Sequence, residues 1–448
     1  MTVLTLPALP QRAGFKLTLG GLIGSTHALA VATLAERHES PILLVTADTP
    51  TALRLEQEIG FLLAERDIPV LLFPDWETLP YDTFSPHQDI LSQRLETLYQ
   101  LPSMRRGVVI VPITTLMLRC PPRSYLDRFS LQLKQGQRLS LQGLRQRLAQ
   151  AGYVAVEQVL EHGEFAARGS LLDLFPMGSQ SPYRIDFFDD EVDSIRPFDP
   201  ETQRSRDPIK TVNLLPAREF PTDSEAIERF RGHYRERFEL SRAEGAIYQE
   251  VSKGRWPAGI EYYLPLFFDD TARLLDYLPE ETLLVTSGEI YPAAQRFWND
   301  IQQRYEDRRW DPSRPLLPPA ELYLPIEQLF AGLNAYPSVR LQEAVSDGGE
   351  ALPIDRLPAL TLEQGNAEPM AALQHFLQTF SGRTLFAVPS EGRREALRDL
   401  LARIDVRADE YDNLDAFVAA SNQVGVMVCP LEGGFVLTES ALALITET

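Results

Sequence analysis

Three short runs constrain this chain more than any other feature. Residues 41–47 (PILLVTA), 69–73 (PVLLF) and 107–111 (GVVIV) are continuous, apolar and uncharged. A strand with one face in water alternates apolar and polar residues, whereas a strand buried on both faces does not. Runs of the second kind belong to a parallel sheet covered by helices. The segments between them have a helical pattern. Asp48, Thr49 and Thr51 can cap a helix start, and Pro50 suits a first helical turn. Leu53, Leu55, Ile59, Leu62 and Leu63 then recur at near-helical spacing. Leu91, Leu95 and Leu98 share one face of a second helix over residues 91–101. Strand–helix–strand–helix–strand predicts βαβ units.

The pattern changes near residue 129. Residues 130–137 (SLQLKQGQ) alternate with period two, and an amphipathic helix follows over 139–150. Residues 170–175, 183–188 and 192–198 then read as short antiparallel strands, the last two joined by the tight acidic turn Asp189-Asp190-Glu191. This predicts an α+β insertion that interrupts the first domain. Asn213-Leu214-Leu215-Pro216 returns to strand-like sequence, and a long helix is expected over 224–252. Residues 312–337 are proline-rich. Gly348-Gly349 and the polar stretch after them read as a linker. Strands over 383–388, 425–429 and 442–445, with a helix over 391–404, predict a further small α/β domain. At about 150 residues per domain, 448 residues accommodate two to four domains. No internal repeat or low-complexity tract is visible.

The most informative loop is Gly21-Leu22-Ile23-Gly24-Ser25-Thr26-His27-Ala28. It opens an apolar helix just before the first of the three runs, the setting of a phosphate-binding loop, GxxxxGK[ST]. Here Thr26 replaces the last glycine, His27 the lysine and Ala28 the hydroxyl residue. That lysine is the charge placed on the β- and γ-phosphates, and that hydroxyl ligates Mg²⁺. None of the four lysines follows a glycine, so no G-K-[ST] exists anywhere in the chain. Read alone, the fragment favours glycines (Gly20, Gly21 and Gly24) that turn the chain and do nothing more. The apolar strand ending in acids at 185–191 (IDFFDDE) could in principle hold a metal, but the strand-like sequence after it favours a hairpin turn.

Period two along that strand puts Tyr183, Ile185 and Phe187 on one face and Arg184, Asp186 and Phe188 on the other. The first face is core. The second sets a large aromatic beside charges, the composition of an interface hot spot, unless Phe188 tucks into a second small core.

The formal charge of −20 disfavours a chain that grips nucleic acid over most of its surface. Residues 101–150 run the other way, with nine cations against one acid, Asp127. Tyr125 and Phe129 are their only aromatics, too few for a base-stacking platform, so a solvated basic face is favoured over a nucleic-acid patch. All but four of the 43 cationic residues are arginine. Cys120 and Cys429 are too few for a disulfide framework and fit a reducing, cytoplasmic setting. The six histidines show no metal-ligand spacing, and no run is apolar and long enough for a membrane span.

Five segments carry a family resemblance: 73–101 (FPDWETLPYDTFSPHQDILSQRLETLYQL), 161–205 (EHGEFAARGSLLDLFPMGSQSPYRIDFFDDEVDSIRPFDPETQRS), 213–223 (NLLPAREFPTD), 257–268 (PAGIEYYLPLFF) and 391–397 (EGRREAL). Through them the chain resembles the N-terminal part of the bacterial transcription-repair coupling factors over essentially its whole length. More distantly, it resembles the excision-repair protein UvrB, as far as the last domain. The resemblance implies a multidomain α/β fold: a UvrB-like module with a degenerate helicase-type α/β domain interrupted by an α+β insertion, then a small separate α/β domain. The expected boundaries are 1–128 and 213–347 for the split domain, 129–212 for the insertion, 348–368 for the linker and 369–448 for the last domain.

The resemblance further implies that the insertion docks on UvrA through Arg168, Arg184 and Phe188. Two departures from UvrB matter: the altered loop at Gly21, Gly24, Ser25, Thr26, His27 and Ala28, and a shortened segment at 76–89, where UvrB carries a DNA-gripping aromatic hairpin. The expectation is therefore a monomeric, non-catalytic recruitment module without cofactor or metal. RNA polymerase, double-stranded DNA, ATP and Mg²⁺ would engage parts beyond residue 448. The terminal run ALALITET reads as the end of an expressed fragment. The rival readings are an ATP-dependent DNA-remodelling enzyme active within this chain and a passive DNA-binding module.

Overall fold

The computed structural model describes residues 3–10, 12–238, 245–360 and 370–447. Strand β1 (Lys16–Gly20) and helix α1 (Thr26–Arg37) flank the glycine loop. The three apolar runs follow as β2 (Ile42–Thr46), β3 (Val70–Leu72) and β4 (Val108–Pro112), with α2 (Thr49–Leu62) and α3 (Gln88–Gln100) between them. The sequence reading had β2 as the first parallel strand. In fact β1 precedes the loop, so the loop sits between a strand and a helix. As expected, the Asp48 carboxylate accepts from Thr51 N–H at 2.8 Å and caps α2.

The insertion contains β5 (Leu131–Lys134), α4 (Leu141–Gln150), β6 (Val154–Ala155), β7 (Glu164–Arg168), β8 (Leu171–Leu174), β9 (Tyr183–Phe188), β10 (Glu191–Pro197) and β11 (Thr211–Leu214). Strands β5 and β11 pair antiparallel, Leu131 opposite Leu214, at its neck. The others form a sheet in the order β10-β9-β8-β7-β6, antiparallel except for β6 and β7.

The chain then returns to the first domain. The helix expected over 224–252 is broken: α5 (Ser224–Arg237) stops where Phe238 turns extended (φ −122°, ψ 145°), and α6 (Ala246–Ser252) follows. Residues 239–244 lie outside the described residues. Next come β12 (Leu283–Ser287), α7 (Ile290–Arg308) and β13 (Ser338–Leu341). The proline-rich stretch between the last two holds short helices at Pro319–Leu322 and Ile326–Leu333.

The expected linker begins with two short strands, β14 (Glu350–Ala351) and β15 (Ile354–Asp355). The last domain adds α8 (Ala371–Thr379), β16 (Arg383–Val388), α9 (Glu391–Ala402), β17 (Asp409–Tyr411), α10 (Leu414–Ala419), β18 (Val424–Val428), β19 (Phe435–Leu437) and β20 (Leu442–Thr446). The main sheet runs β14-β1-β13-β12-β2-β4-β3, parallel throughout. The last sheet runs β15-β19-β20-β16-β18-β17. The start of the expected linker thus binds both sheets, β14 beside β1 and β15 beside β19, with only Leu352 and Pro353 between them. The rest of that expectation falls on residues 361–369, outside the described residues.

Both faces of the main sheet are buried, as the continuous runs require. Leu43, Val45, Val109 and Val111 join one apolar cluster, which also takes Leu172, Ile185, Phe187 and Ile195 from the insertion. Ile42, Leu44, Val108 and Ile110 join a second with α1 and α2. Leu385, Ala387, Met427, Phe435 and Leu444 of the last domain belong to this second cluster. The last domain has its own sheet, and one face of that sheet packs against the first domain, because alternate residues of β16, β18 and β20 are apolar on both sides. Its other face keeps its own cluster, including Phe386, Leu401 and Val426. Among the described residues no helix is long and apolar enough to cross a membrane.

Candidate functional site

Strand β9 divides its side chains as period two predicts. Ile185 and Phe187 are buried and Tyr183 is half-buried against the same cluster. On the opposite face Phe188 is 75% exposed. The acids after it form a hairpin turn, with Asp189 at φ 52°. This is the turn the sequence favoured over a metal site. Among the described residues no three or more His, Cys, Asp or Glu groups converge to hold a metal.

Register places the third expected docking residue on the same face. Arg168 pairs with Leu171, and Leu171 pairs in turn with Asp186 on the next strand. Paired residues share a face, so Arg168, Arg184, Asp186 and Phe188 all point one way. Arg168 is exposed, and its guanidinium donates to the Glu157 carbonyl.

Arg184 is not free, contrary to a purely partner-facing reading. Its Nε donates to Asp173 Oδ1 at 2.7 Å and its Nη2 to Asp173 Oδ2 at 2.9 Å. This bond raises the guanidinium pKa above its ordinary value. Asp173 is buried, and the guanidinium lies over the Phe198 ring, 4.9 Å from its centroid. Phe198 forms a small cluster with Val159, Ala166 and Phe175. The second small core considered for Phe188 therefore exists, but Arg184 covers it and Phe188 stays outside.

The glycine loop is closed from both sides. Ile23 N–H donates to Thr26 Oγ1 at 2.7 Å, and that hydroxyl donates back to Ile23 O at 2.6 Å. Gly21 and Leu22 N–H donate to the carbonyls of Glu343 and Gln342, each at 3.1 Å. In front of α1 lies backbone from the last domain. Ser25 N–H donates to Gly433 O at 3.0 Å, and Gly433 N–H donates to Ser25 Oγ at 3.0 Å. Ser25 Oγ donates to the fully buried Glu58, whose Oε1 also accepts from Glu432 N–H. Arg54 neutralises the other oxygen at 2.9 Å. His27 is buried, and desolvation, then the Arg54 charge, lowers its pKa below the ordinary imidazole value. Gly21, Gly24, Ser25, Thr26, His27 and Ala28 do form one strand–loop–helix junction. Sequence reasoning missed its partners Glu58, Glu432 and Gly433. The Gly433-Gly434 pair before an apolar strand was the available signal; a buried acid within a helix leaves none.

The shortened segment at 76–89 forms no hairpin. Trp76 and Tyr81 are buried among Tyr262, Tyr305 and Tyr323, while Leu79 and Phe84 are exposed. Beneath it lies a buried ion pair that the sequence did not reveal. Arg94 Nε donates to Glu219 Oε1 at 2.7 Å, and Trp76 Nε1 donates to Glu219 Oε2 at 3.0 Å. Two of the segments that carry the resemblance, 73–101 and 213–223, are thus locked to each other.

Several cations of residues 101–150 are held by partners within the fold. Arg106 donates to the Ala35 and Glu36 carbonyls near the end of α1, Arg119 to Ala320 O, and Arg128 to Asp223 and Glu225. Arg145 and Arg147 are exposed on α4, within the insertion.

Comparison with known proteins agrees with this architecture. Residues 131–220 match the UvrB interaction domain family, and residues 376–448 match the family described as MFD, D3 domain. The chain is 50% identical over 444 residues to the transcription-repair-coupling factor of Escherichia coli, covering 98% of this chain and 38% of that protein. It is 45% identical to that of Haemophilus influenzae, with 98% and 38% covered, and 25% identical to that of Bacillus subtilis, with 96% and 38% covered. The chain therefore spans 38% of the length of these curated relatives.

Proposed function

This chain belongs to the bacterial transcription-repair-coupling factors, matching their N-terminal part, and from that premise we propose that it is their non-catalytic recruitment module, docking the excision-repair protein UvrA on its inserted domain. The observation that carries the reading is Phe188: a large aromatic three-quarters exposed at a strand end, in line with the cations Arg168 and Arg184 on one sheet face. An exposed aromatic flanked by arginine is the composition of an interface hot spot. The partner expected on this face brings apolar surface for Phe188 and acceptors for Arg168. In a whole coupling factor this contact would bring the repair machinery to stalled RNA polymerase in the cytoplasm. Polymerase binding, movement on double-stranded DNA and ATP hydrolysis with Mg²⁺ would fall to the remaining length.

The rival reading, an ATP-dependent enzyme within these residues, is less well supported. His27 and Ala28 stand where the lysine and hydroxyl would be, and the Gly433 carbonyl already takes the N–H at the α1 start. The passive DNA-binding reading is also less well supported, since Arg106, Arg119 and Arg128 are already bound to carbonyls or acids. The test is a titration of purified UvrA into this chain and its Phe188→Ala variant. Tight binding by the parent that the variant loses supports docking here, and equal binding by both overturns it.

A further inference from the structure

Gly24 and Gly433 meet backbone to backbone. A Cβ on Gly433 would lie 2.3 Å from Gly24 Cα and 2.9 Å from Ser25 N, and a Cβ on Gly24 would lie 2.6 Å from Gly433 C. No side chain could relieve either clash by rotating, so both positions require glycine while the domains stay joined. The contact is also bonded in both directions through Ser25, and Glu58 gathers Ser25 and Glu432 on one buried carboxylate. A helix N-terminus presents free N–H groups and a positive dipole end, which is why such loops bind phosphate. Here a peptide carbonyl from the last domain occupies that position.

We propose that the Glu432–Gly433 backbone is a built-in plug of the vestigial nucleotide loop, and that the last domain serves in this chain to occupy that loop and so hold itself to the first domain. The loop has changed ligand: it binds a segment of its own chain instead of a phosphate. The buried apolar cluster shared by the last domain, α1 and α2 surrounds the joint, and Arg66 bridges Glu36 and Asp415 at its rim, at 2.7 and 2.5 Å. This inference is independent of UvrA docking, because the joint lies on a different sheet from Arg168 and Phe188.

Hydrogen exchange of the whole chain, read by mass spectrometry, tests it. Gly433→Ala should speed exchange at residues 22–28 and 431–437 by tenfold or more, while the inserted domain keeps the parental rate. Gly392→Ala is the control, since a Cβ there meets nothing within 4 Å. Parental exchange at 22–28 in Gly433→Ala overturns the proposal. If Gly433→Ala instead loosens the entire chain, Ser25→Ala decides, because it removes the hydroxyl from the joint without a clash. Faster exchange confined to the two segments supports the plug, and unchanged exchange overturns it. Added Mg-ATP or inorganic phosphate should leave parental exchange at 431–434 unaltered. An increase would show the plug giving way to a ligand and would also overturn it.

Discussion

The guanidinium of Arg184 holds both carboxylate oxygens of Asp173 and lies over the ring of Phe198. The residue expected to face a partner is therefore also part of the fold of its own domain. Arg184→Ala would leave a buried carboxylate unpaired and uncover a small apolar cluster.

Arg184→Ala and Phe188→Ala are thus expected to behave differently. An unsatisfied buried polar group costs about 1–3 kcal/mol, so Arg184→Ala should lower the melting temperature and weaken UvrA binding together. Phe188 is exposed, and its truncation should change stability by about 0.5 kcal/mol or less. UvrA binding by Phe188→Ala should still fall roughly thirtyfold, about 2 kcal/mol, if the ring is a hot spot. Calorimetric melting and binding titrations on both variants separate the cases. An early-melting Phe188→Ala would contradict its position outside the core.

Arg94 and Glu219 are both fully buried and bonded to each other at 2.7 Å. Removing one partner of such a pair costs about 3–5 kcal/mol, because the other charge stays buried alone. Arg94→Met and Glu219→Gln should each shift the urea midpoint strongly downward. The double variant should be less destabilised than the sum of the singles. Strict additivity in that cycle would mean the two residues do not act as a pair.

His27 gives the stability of the fold a pH dependence. Burial lowers its pKa in the folded state, so the folded chain resists a proton that the unfolded chain accepts near its ordinary value of 6.5. The unfolded state therefore binds more protons as pH falls below about 6.5, and stability drops with it, by at most about 1.4 kcal/mol per pH unit. Above that pH the group contributes no slope. His38, also lowered chiefly by burial, acts in the same direction. His27→Asn should flatten the loss of stability between pH 7.5 and pH 5.5 in denaturant titrations. An unchanged slope would mean that His27 takes up its proton equally in both states.

No nucleotide binding is expected. Titration calorimetry of the chain with Mg-ATP should give no saturable heat, and Gly433→Ala should remain silent even if its loop opens, since His27 and Ala28 still lack the phosphate charge and the metal ligand. Micromolar binding by either protein would count against the recruitment reading.

DNA binding should be weak at physiological salt, about 0.15 M. The chain carries a formal charge of −20, and several cations of residues 101–150 are already bound to carbonyls or acids. A submicromolar dissociation constant in a mobility-shift assay would be decisive against this.

What the residues disclosed in advance follows from how each element is buried. β2 and β4 were legible because both their faces are covered and their residues are almost all apolar, and β3 because Val70, Leu71 and Leu72 are apolar although it lies at the sheet edge. β1 (KLTLG) and β13 (SVRL) were not, because Lys16, Thr18, Ser338 and Arg340 interrupt the apolar run on their less buried sides. β12 (LLVTS) bears the same signature as the legible strands, yet it is not among the strands read from the sequence. Alternation along β9 correctly separated Phe187 from Phe188. It could not show that Asp173 stands opposite Arg184, because register between strands is not written in either strand alone. The Ser25–Gly433 joint spans some four hundred positions, and no local pattern could announce it.

Strands β5 and β11 leave and re-enter the first domain side by side, Leu131 opposite Leu214. An insertion with adjoining ends is a transplantable cassette. It can be gained, lost or exchanged between genes without tearing the parallel sheet that carries it. Its inner face would still have to match the host, since Leu172 and Ile185 share an apolar cluster with Leu43 and Val45. Divergence should therefore run fastest on the side of Phe188, where the cassette owes nothing to its host, and slowest on the side of Ile185. A docking specificity could in this way be rewritten one sheet face at a time, with the scaffold left standing.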